Sequence, residues 1–123
     1  MISAVDIAKM AGILEGEGCF YLTRQSKPGW KGCPRITLIM TDRDIVEWVA
    51  VRWGVRVLPQ KQGKKAHYKP QYRAEVVGHR AAQWMLTIYS LMGVRRRTKI
   101  REVTALWRAG WGKGDNAKKI CCP

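Results

Sequence analysis

The apolar residues of this chain recur with two different periods, and the order of those periods limits the fold that it can adopt. Residues 5–15 carry them at helical spacing, behind a Ser3 N-cap and the acidic Asp6, which together favour the start of a helix. Segments 19–25 and 35–40 instead alternate apolar with polar residues, as half-buried strands do, and a Lys-Pro-Gly turn lies between them. The pattern predicts a helix followed by a β-hairpin.

The same succession of periods returns in the rest of the chain. The remaining predicted elements are, in order, a helix over 42–53, strands over 55–62 and 68–77, a helix from 81 up to Gly93, and a further helix around 100–107. The predicted order is therefore αββαββα with an extra helix, which is an α+β fold. A chain of 123 residues suits one compact domain. We expect that domain over residues 1–109 and a glycine-rich, basic tail over 110–123 that frays.

The chain is strongly basic, because 23 lysine and arginine residues against 9 aspartate and glutamate residues give a formal net charge of +14. Such a charge on a small body attracts polyanions, so nucleic acid is the first candidate partner. Hydrophobic residues make up 46% of the sequence, which excludes a disordered basic tail. Apolar runs are too short to span a bilayer and no secretory signal is recognisable, so we expect an intracellular protein, in the cytoplasm, nucleoid or an organelle matrix, without a membrane partner.

Four cysteines occur, at positions 19, 33, 121 and 122. None of them forms the C-x-x-C spacing of a structural zinc site. We expect all four to be reduced thiols.

Residues 10–18 read Met-Ala-Gly-Ile-Leu-Glu-Gly-Glu-Gly. This segment resembles the signature of the LAGLIDADG homing endonucleases, and residues 34–44, 69–73, 77–78 and 94–97 follow in the order which that family uses. The resemblance covers about residues 5–105 and implies a saddle-shaped antiparallel sheet facing DNA. A single motif per chain implies a homodimer. The implied activity is site-specific double-strand DNA cleavage with a divalent metal at the dimer dyad, in the context of intron homing and without a small-molecule cofactor.

The resemblance also implies roles for individual residues. Glu17, the second acid of the motif, corresponds to the metal-binding catalytic residue, with the carbonyl of Gly16 as a further ligand. Asp42 stands where the family often has glutamine, and it either holds a water or metal or caps the second helix. Arg95 stands where the family has a basic residue near the scissile phosphate. It acts either in catalysis or only in binding the phosphate backbone of the nucleic acid.

Physical chemistry explains why the motif has this form. Gly12 and Gly16 lie on one helical face, with Ala8 and Ala11 close by, and such small residues let two helices pack closely across a two-fold axis. These four residues form the predicted dimer interface. Two copies of Glu17 meeting there would repel each other, and oxygen ligands suit Mg²⁺, for which Mn²⁺ or Ca²⁺ can substitute in binding. Glu15 is expected to have a structural role.

Outward-facing residues of the strands are the predicted DNA contacts, because a two-stranded ribbon fits the major groove. They are Tyr21, Thr23, Gln25, Arg35, Thr37, Arg73 and Glu75, joined at the strand ends by Lys27, Lys69 and Gln71. The predicted phosphate contacts are Arg96 and Arg97, together with Lys61, Lys64, Lys65 and Lys99. A strand rises about 3.4 Å per residue and a DNA duplex about 3.4 Å per base-pair step, so a strand of about eight residues spans about eight base pairs. A dimer therefore implies a long, near-palindromic site.

Two other classes of function fit a basic domain of this size. The first is an intron maturase or a non-cleaving nucleic-acid-binding protein of the same fold, which an intact Glu17 disfavours. The second is a structural basic protein of the ribosome, which would not need paired acids at a helix end.

Overall fold

The computed structural model describes residues 2–23, 32–60 and 69–111, with side chains up to residue 109. Its elements are α1 (Ala4–Glu17), β1 (Gly18–Leu22), β2 (Pro34–Met40), α2 (Arg43–Trp53), β3 (Leu58–Gln60), β4 (Gln71–Val77), α3 (Gly78–Ile88), a 3₁₀ turn (Tyr89–Leu91) and α4 (Val94–Trp111). The order αββαββα with an extra helix is confirmed.

Helix α1 passes into strand β1 without a connecting loop. Its start is capped as predicted, because the Asp6 N–H donates to Ser3 Oγ at 3.1 Å. The helix continues two residues beyond the predicted end at Glu15, so Glu17 is its last residue. A Cβ atom at Gly18 would lie 2.8 Å from the Leu14 carbonyl oxygen. Only glycine therefore permits this direct passage from helix to strand, and Glu17 stands at the junction.

The strands form one antiparallel sheet in the order β1-β2-β4-β3. Tyr21 lies opposite Arg35, and Thr37 lies between Cys19 and Glu75. Directly opposed residues point to the same face of a sheet. The predicted alternation is confirmed, because the residues of the other face are buried, namely Phe20, Ile36, Leu38, Ala74 and Val76.

The helices cover that inner face and complete the core. Their fully buried side chains include Met10, Leu14, Trp53, Met85 and Ile100, which cluster with the inner-face residues of the sheet. The opposite face, which we call the outer face, keeps its polar residues partly accessible. Within the described ranges, no helix has the length and apolar character that crossing a membrane requires.

The structure changes several predicted boundaries. The third helix ends at Ile88 instead of reaching Gly93, because the chain tightens there into a 3₁₀ turn in which the Met92 N–H donates to the Tyr89 carbonyl at 3.1 Å. Helix α4 starts at Val94, six residues before the predicted start at 100. The sequence pattern did not indicate these first turns because they are basic and carry no apolar stripe. Strand β3 covers only Leu58–Gln60, and positions 61 and 62 of the prediction lie outside the described residues.

The cysteines differ from the expectation in one case. Cys19 is a free, exposed thiol, as expected. Cys33 is buried and disulfide-bonded, so the expectation of four reduced thiols is wrong. Of the tail predicted over 110–123, residues 112–123 lie outside the described residues, whereas the backbone of α4 continues to Trp111.

Candidate active site and nucleic-acid interface

Glu17, the predicted catalytic acid, lies on the surface at the last position of α1. Gly16 beside it is also exposed. The Glu17 carboxylate and the Gly16 carbonyl are both hard oxygen donors of the kind that Mg²⁺ prefers. In the described part of the chain, no three histidine, cysteine or acidic side chains converge on one point. One chain thus offers a pair of neighbouring oxygen donors that fits part of a Mg²⁺ coordination shell.

The Glu15 side chain points toward the start of α4. Its Oε1 accepts the N–H of Gly93 at 3.2 Å. A carboxylate is favoured at the positive end of a helix, and Gly93 is the residue directly before α4. A Cβ at Gly93 would lie 2.5 Å from Glu15 Oε1, so the contact depends on glycine. The structure thus gives Glu15 the structural position that the sequence predicts.

Arg96 reaches back from α4 to the junction of α1 and β1. Its Nε donates to the Glu15 carbonyl at 3.3 Å, and its second guanidinium nitrogen donates to the Gly18 carbonyl. The guanidinium also lies 5.9 Å from the centroid of the Phe20 ring. The prediction placed Arg96 among phosphate contacts. The structure directs its side chain to the protein backbone instead, because the arginine packs over β1 rather than pointing out of α4.

Asp42 and Arg95 are both exposed. Asp42 occupies the N-cap position of α2, where its carbonyl accepts from the Ile45 and Val46 N–H groups, but its carboxylate makes no capping hydrogen bond. That carboxylate is therefore not used by the helix. Arg95 lines a shallow groove of about 380 Å³. Its other lining residues are Cys19, Phe20, Arg96, Thr98, Lys99 and Glu102.

Four predicted DNA contacts come together on the outer face in one hydrogen-bonded group, which we call the outer-face network: Tyr21, Arg35, Thr37 and Glu75. Glu75 Oε1 accepts from the Arg35 guanidinium at 2.8 Å, from the Tyr21 hydroxyl at 3.1 Å and from the Thr37 hydroxyl at 3.4 Å. The Tyr21 and Thr37 hydroxyls are themselves 3.1 Å apart. The negative charge of Glu75 is thus neutralised within the face, which lowers its repulsion of a polyanion.

The other predicted contacts have different surroundings. Arg73 is on the outer face between Ile39 and Leu58 in register, and Gln71 lies opposite Gln60. Gln60 was not among the predicted contacts, although the alternation in 55–62 indicates that it shares a face with the outward residues. Thr23 closes the end of the β1–β2 pair, since its hydroxyl donates to the Cys33 carbonyl at 3.2 Å and accepts the Cys33 N–H at 2.9 Å.

Of the remaining predicted contacts, Lys69 is exposed and Arg97 is half-buried on α4. Gln25 and Lys27 lie outside the described residues, as do Lys61, Lys64 and Lys65.

One exposed side of α1 carries several small residues, together with Lys9. Ala8, Gly12 and Gly16 are exposed along it, and Val5 next to them is 75% exposed. A Cβ built at Gly12 or at Gly16 would meet nothing within 4 Å. Ala11 was predicted on this face, but it is 3% exposed and belongs to the core. One residue is a 100° rotation along a helix, which turns Ala11 inward when Gly12 faces out.

The chain resembles solved homing endonucleases in three dimensions. The structure of I-CvuI, in complex with the I-CreI target and 2 mM Mg with the DNA not cleaved, matches with a TM-score of 0.59 and 15% identity over 86% of this chain and 70% of that one. The archaeal intron-encoded homing endonuclease I-Vdi141I, complexed with DNA, matches with a TM-score of 0.61 and 16% identity over 94% and 77%.

A third similar structure is the LAGLIDADG meganuclease I-AabMI bound to uncleaved DNA. It has a TM-score of 0.61 and 12% identity over 93% of this chain and 41% of that one. No protein-family model matches the sequence, and no curated protein matches it. The chain therefore has the fold of the LAGLIDADG homing endonucleases, and its single motif lies at the α1–β1 junction of that fold.

Proposed function

We propose that this chain is a homodimeric, metal-dependent endonuclease that cleaves both strands of DNA at a long, near-palindromic site. The observation that carries the proposal is the position of Glu17. Its carboxylate is exposed at the end of the helix whose glycine face is open, and this helix leads directly into the sheet with the polar outer face. An acid, a small-residue helix face and a polar sheet face thus meet in one small domain of strongly basic composition.

DNA binding is supported by charge and shape. The formal net charge of +14 attracts the phosphate backbone. The outer face presents arginine, glutamine, threonine and tyrosine side chains on adjacent strands, which are the groups that hydrogen-bond to base edges in the major groove. The three similar structures reported above were determined in complex with DNA.

Dimerisation is supported by the cost of the glycines. A glycine inside a helix costs about 1 kcal/mol relative to alanine. Nothing in the described chain occupies the space beside Gly12 and Gly16. A second copy of α1 packed against Ala8, Gly12 and Gly16 would use that space and would bring two Glu17 side chains together at the two-fold axis.

The metal site would consist of Glu17 and the Gly16 carbonyl from each chain. A bound divalent cation supplies charge stabilisation at the phosphoryl oxygens and a lowered pKa for a coordinated water. Glu17 holds negative charge at the dyad, and the unused Asp42 carboxylate is available to orient solvent. Arg95, exposed beside Cys19 in the groove, is available to bind the scissile phosphate.

Replacing Glu17 with glutamine tests the proposal. The substrate is plasmid DNA carrying the sequence that flanks the chain's own gene, incubated with Mg²⁺ and, in parallel, with EDTA. We expect Mg²⁺-dependent linearisation by the wild type, none by Glu17→Gln, and retained DNA binding by the variant. Glu47→Gln is the matched control, since Glu47 is exposed on α2 and pairs with Arg43. Cleavage by Glu17→Gln, or DNA binding by the wild type without cleavage, would refute nuclease activity at this site.

A further inference from the structure

Arg96 makes an unusual set of contacts for an arginine in a basic run. It lies in the first turns of α4, and its side chain is half-buried. Through two different nitrogens it donates to the carbonyls of Glu15 and Gly18. These two carbonyls flank Gly16 and Glu17, the two residues that carry the proposed metal ligands. One side chain therefore holds the backbone on both sides of the proposed catalytic acid.

A second contact also joins the end of α1 to the start of α4, and here the side chain belongs to α1 and the backbone group to α4. The Glu15 carboxylate of α1 accepts the Gly93 N–H at the start of α4, at 3.2 Å. The Arg96 guanidinium of α4 donates to the end of α1. Both contacts join residues 78 or more positions apart in sequence. Together they fix the α1–β1 junction against α4 more firmly than either would alone.

The electrostatics of the junction explain what such a contact does. The last carbonyls of a helix lack intrahelical partners and carry partial negative charge, which disfavours a carboxylate such as Glu17 beside them. Glu15 lies in the last turn of α1, so the guanidinium bound to its carbonyl satisfies one of these groups and offsets part of that charge, whereas the Gly18 carbonyl belongs to the first residue of β1. Arg96 thereby makes the end of α1 a less unfavourable place for Glu17 and holds the direction of the peptide groups at 16 and 17.

We propose that Arg96 is a positioning residue, which orients Glu17 and the Gly16 carbonyl toward a divalent cation through the backbone of the α1–β1 junction. The inference depends on the proposed function, since it assigns the residue that supports its metal site. Arg96 lines the groove beside Arg95, but in this role it acts through the Glu15 and Gly18 carbonyls and not by direct contact with the cation. Its removal should therefore weaken metal binding while leaving DNA binding without metal largely unchanged.

The test compares Arg96→Gln with Arg101→Gln, a control that removes the same charge from an exposed position of α4. The first readout needs no cleavage: the Ca²⁺ concentration that gives the half-maximal increase in affinity for a fluorescent duplex of the gene-flanking sequence. The second readout is the Mg²⁺ concentration for half-maximal single-turnover cleavage. We expect Arg96→Gln to raise both midpoints about 10-fold or more, as loss of a ligand-orienting contact does, and Arg101→Gln to leave them unchanged.

Melting of the metal-free proteins separates positioning from simple stability. Wild-type metal midpoints in a folded Arg96→Gln would overturn the inference, even if its melting temperature were lower. Should Arg96→Gln fail to fold, Arg96→Lys decides, because lysine keeps the charge and the aliphatic stem but has a single donor group for two carbonyls. Raised midpoints in Arg96→Lys support the inference and unchanged ones overturn it. If the wild type itself shows no metal dependence in either readout, the proposed function fails as well.

Discussion

Arg35 and Glu75 form an ion pair across neighbouring strands, with 2.8 Å between the guanidinium nitrogen and Oε1, on the face of the sheet that the fold leaves uncovered by helices. Their side chains are only 26% and 20% exposed. The same Glu75 oxygen accepts from Tyr21 and Thr37. The only carboxylate of the described outer face is thus tied to three neighbouring side chains.

Glu75→Gln should therefore destabilise the domain. The substitution removes a charged acceptor from three donors and leaves the half-buried Arg35 without its counterion, which should cost about 1.5–3 kcal/mol of unfolding free energy. Urea denaturation measures this. Glu47→Gln is the control, since Glu47 pairs with Arg43 at the same 2.8 Å but with side chains 50% and 65% exposed, and exposed pairs contribute about 0–1 kcal/mol. Equal losses in the two variants would contradict the expected strength of the outer-face network.

Substitutions at Gly12 should have opposite effects on the stability of the monomer and on the stability of the dimer. Gly12→Ala should raise the unfolding free energy of the monomer by about 0.5–1 kcal/mol, because alanine is the better helix former and the added Cβ meets nothing. The same methyl should weaken the dimer, and Gly12→Leu should separate it into monomers. Sedimentation at several protein concentrations measures the dimer dissociation of both Gly12 variants. Ala105→Leu, at an exposed position of α4, is the control. A dimer unchanged by Gly12→Leu would place the interface elsewhere.

Gly93 and Glu15 should be coupled. Gly93→Ala puts a methyl group 2.5 Å from Glu15 Oε1, so the carboxylate must shift and lose its hydrogen bond to the residue 93 N–H, and the unfolding free energy should fall by about 0.5–1.5 kcal/mol. In the background of Glu15→Ala the same substitution should cost much less, because the colliding atom is gone. A double-mutant cycle in urea gives the coupling, expected at about 1 kcal/mol. Additive effects would show that Glu15 does not hold the start of α4.

DNA binding should depend steeply on salt. About 8–10 phosphate contacts per dimer would give a slope of about −7 to −9 for log K against log salt concentration. Arg97→Gln should make the slope shallower by about 2, one contact per subunit, whereas Arg96→Gln should leave it unchanged because its guanidinium is bound to backbone carbonyls. Fluorescence anisotropy on a single duplex measures all three slopes. A shallower slope for Arg96→Gln than for the wild type would indicate that Arg96 contacts a DNA phosphate after all.

The elements were predictable where one physical rule dominates. Alternation in 35–40 identified β2 and its faces, since Ile36 and Leu38 must leave water while Arg35 and Thr37 need not. Ser3 and the Gly16-Glu17-Gly18 segment predicted the start of α1 to within one residue and its end to within two. Together with the motif at 10–18, these signals were enough to predict the fold.

The rest depends on contacts between distant parts of the chain. The backbone contacts of Arg96 could not be predicted from an Arg-Arg-Arg run, because charged runs on helices usually face solvent and the partners of Arg96 lie 78 or more residues earlier. Ala11 was grouped with Gly12 by its size, whereas the helical rotation between adjacent residues sends it into the core. The 3₁₀ turn at Tyr89–Leu91 likewise has no local sequence signal.

The shared hydrogen bonding of Tyr21, Arg35, Thr37 and Glu75 also restricts how this surface can evolve. A change at any one position leaves the remaining three with an unmatched donor, acceptor or charge. Neutral drift there should proceed through compensated pairs of substitutions, and homologues that diverge at residue 75 should diverge at residue 35 as well.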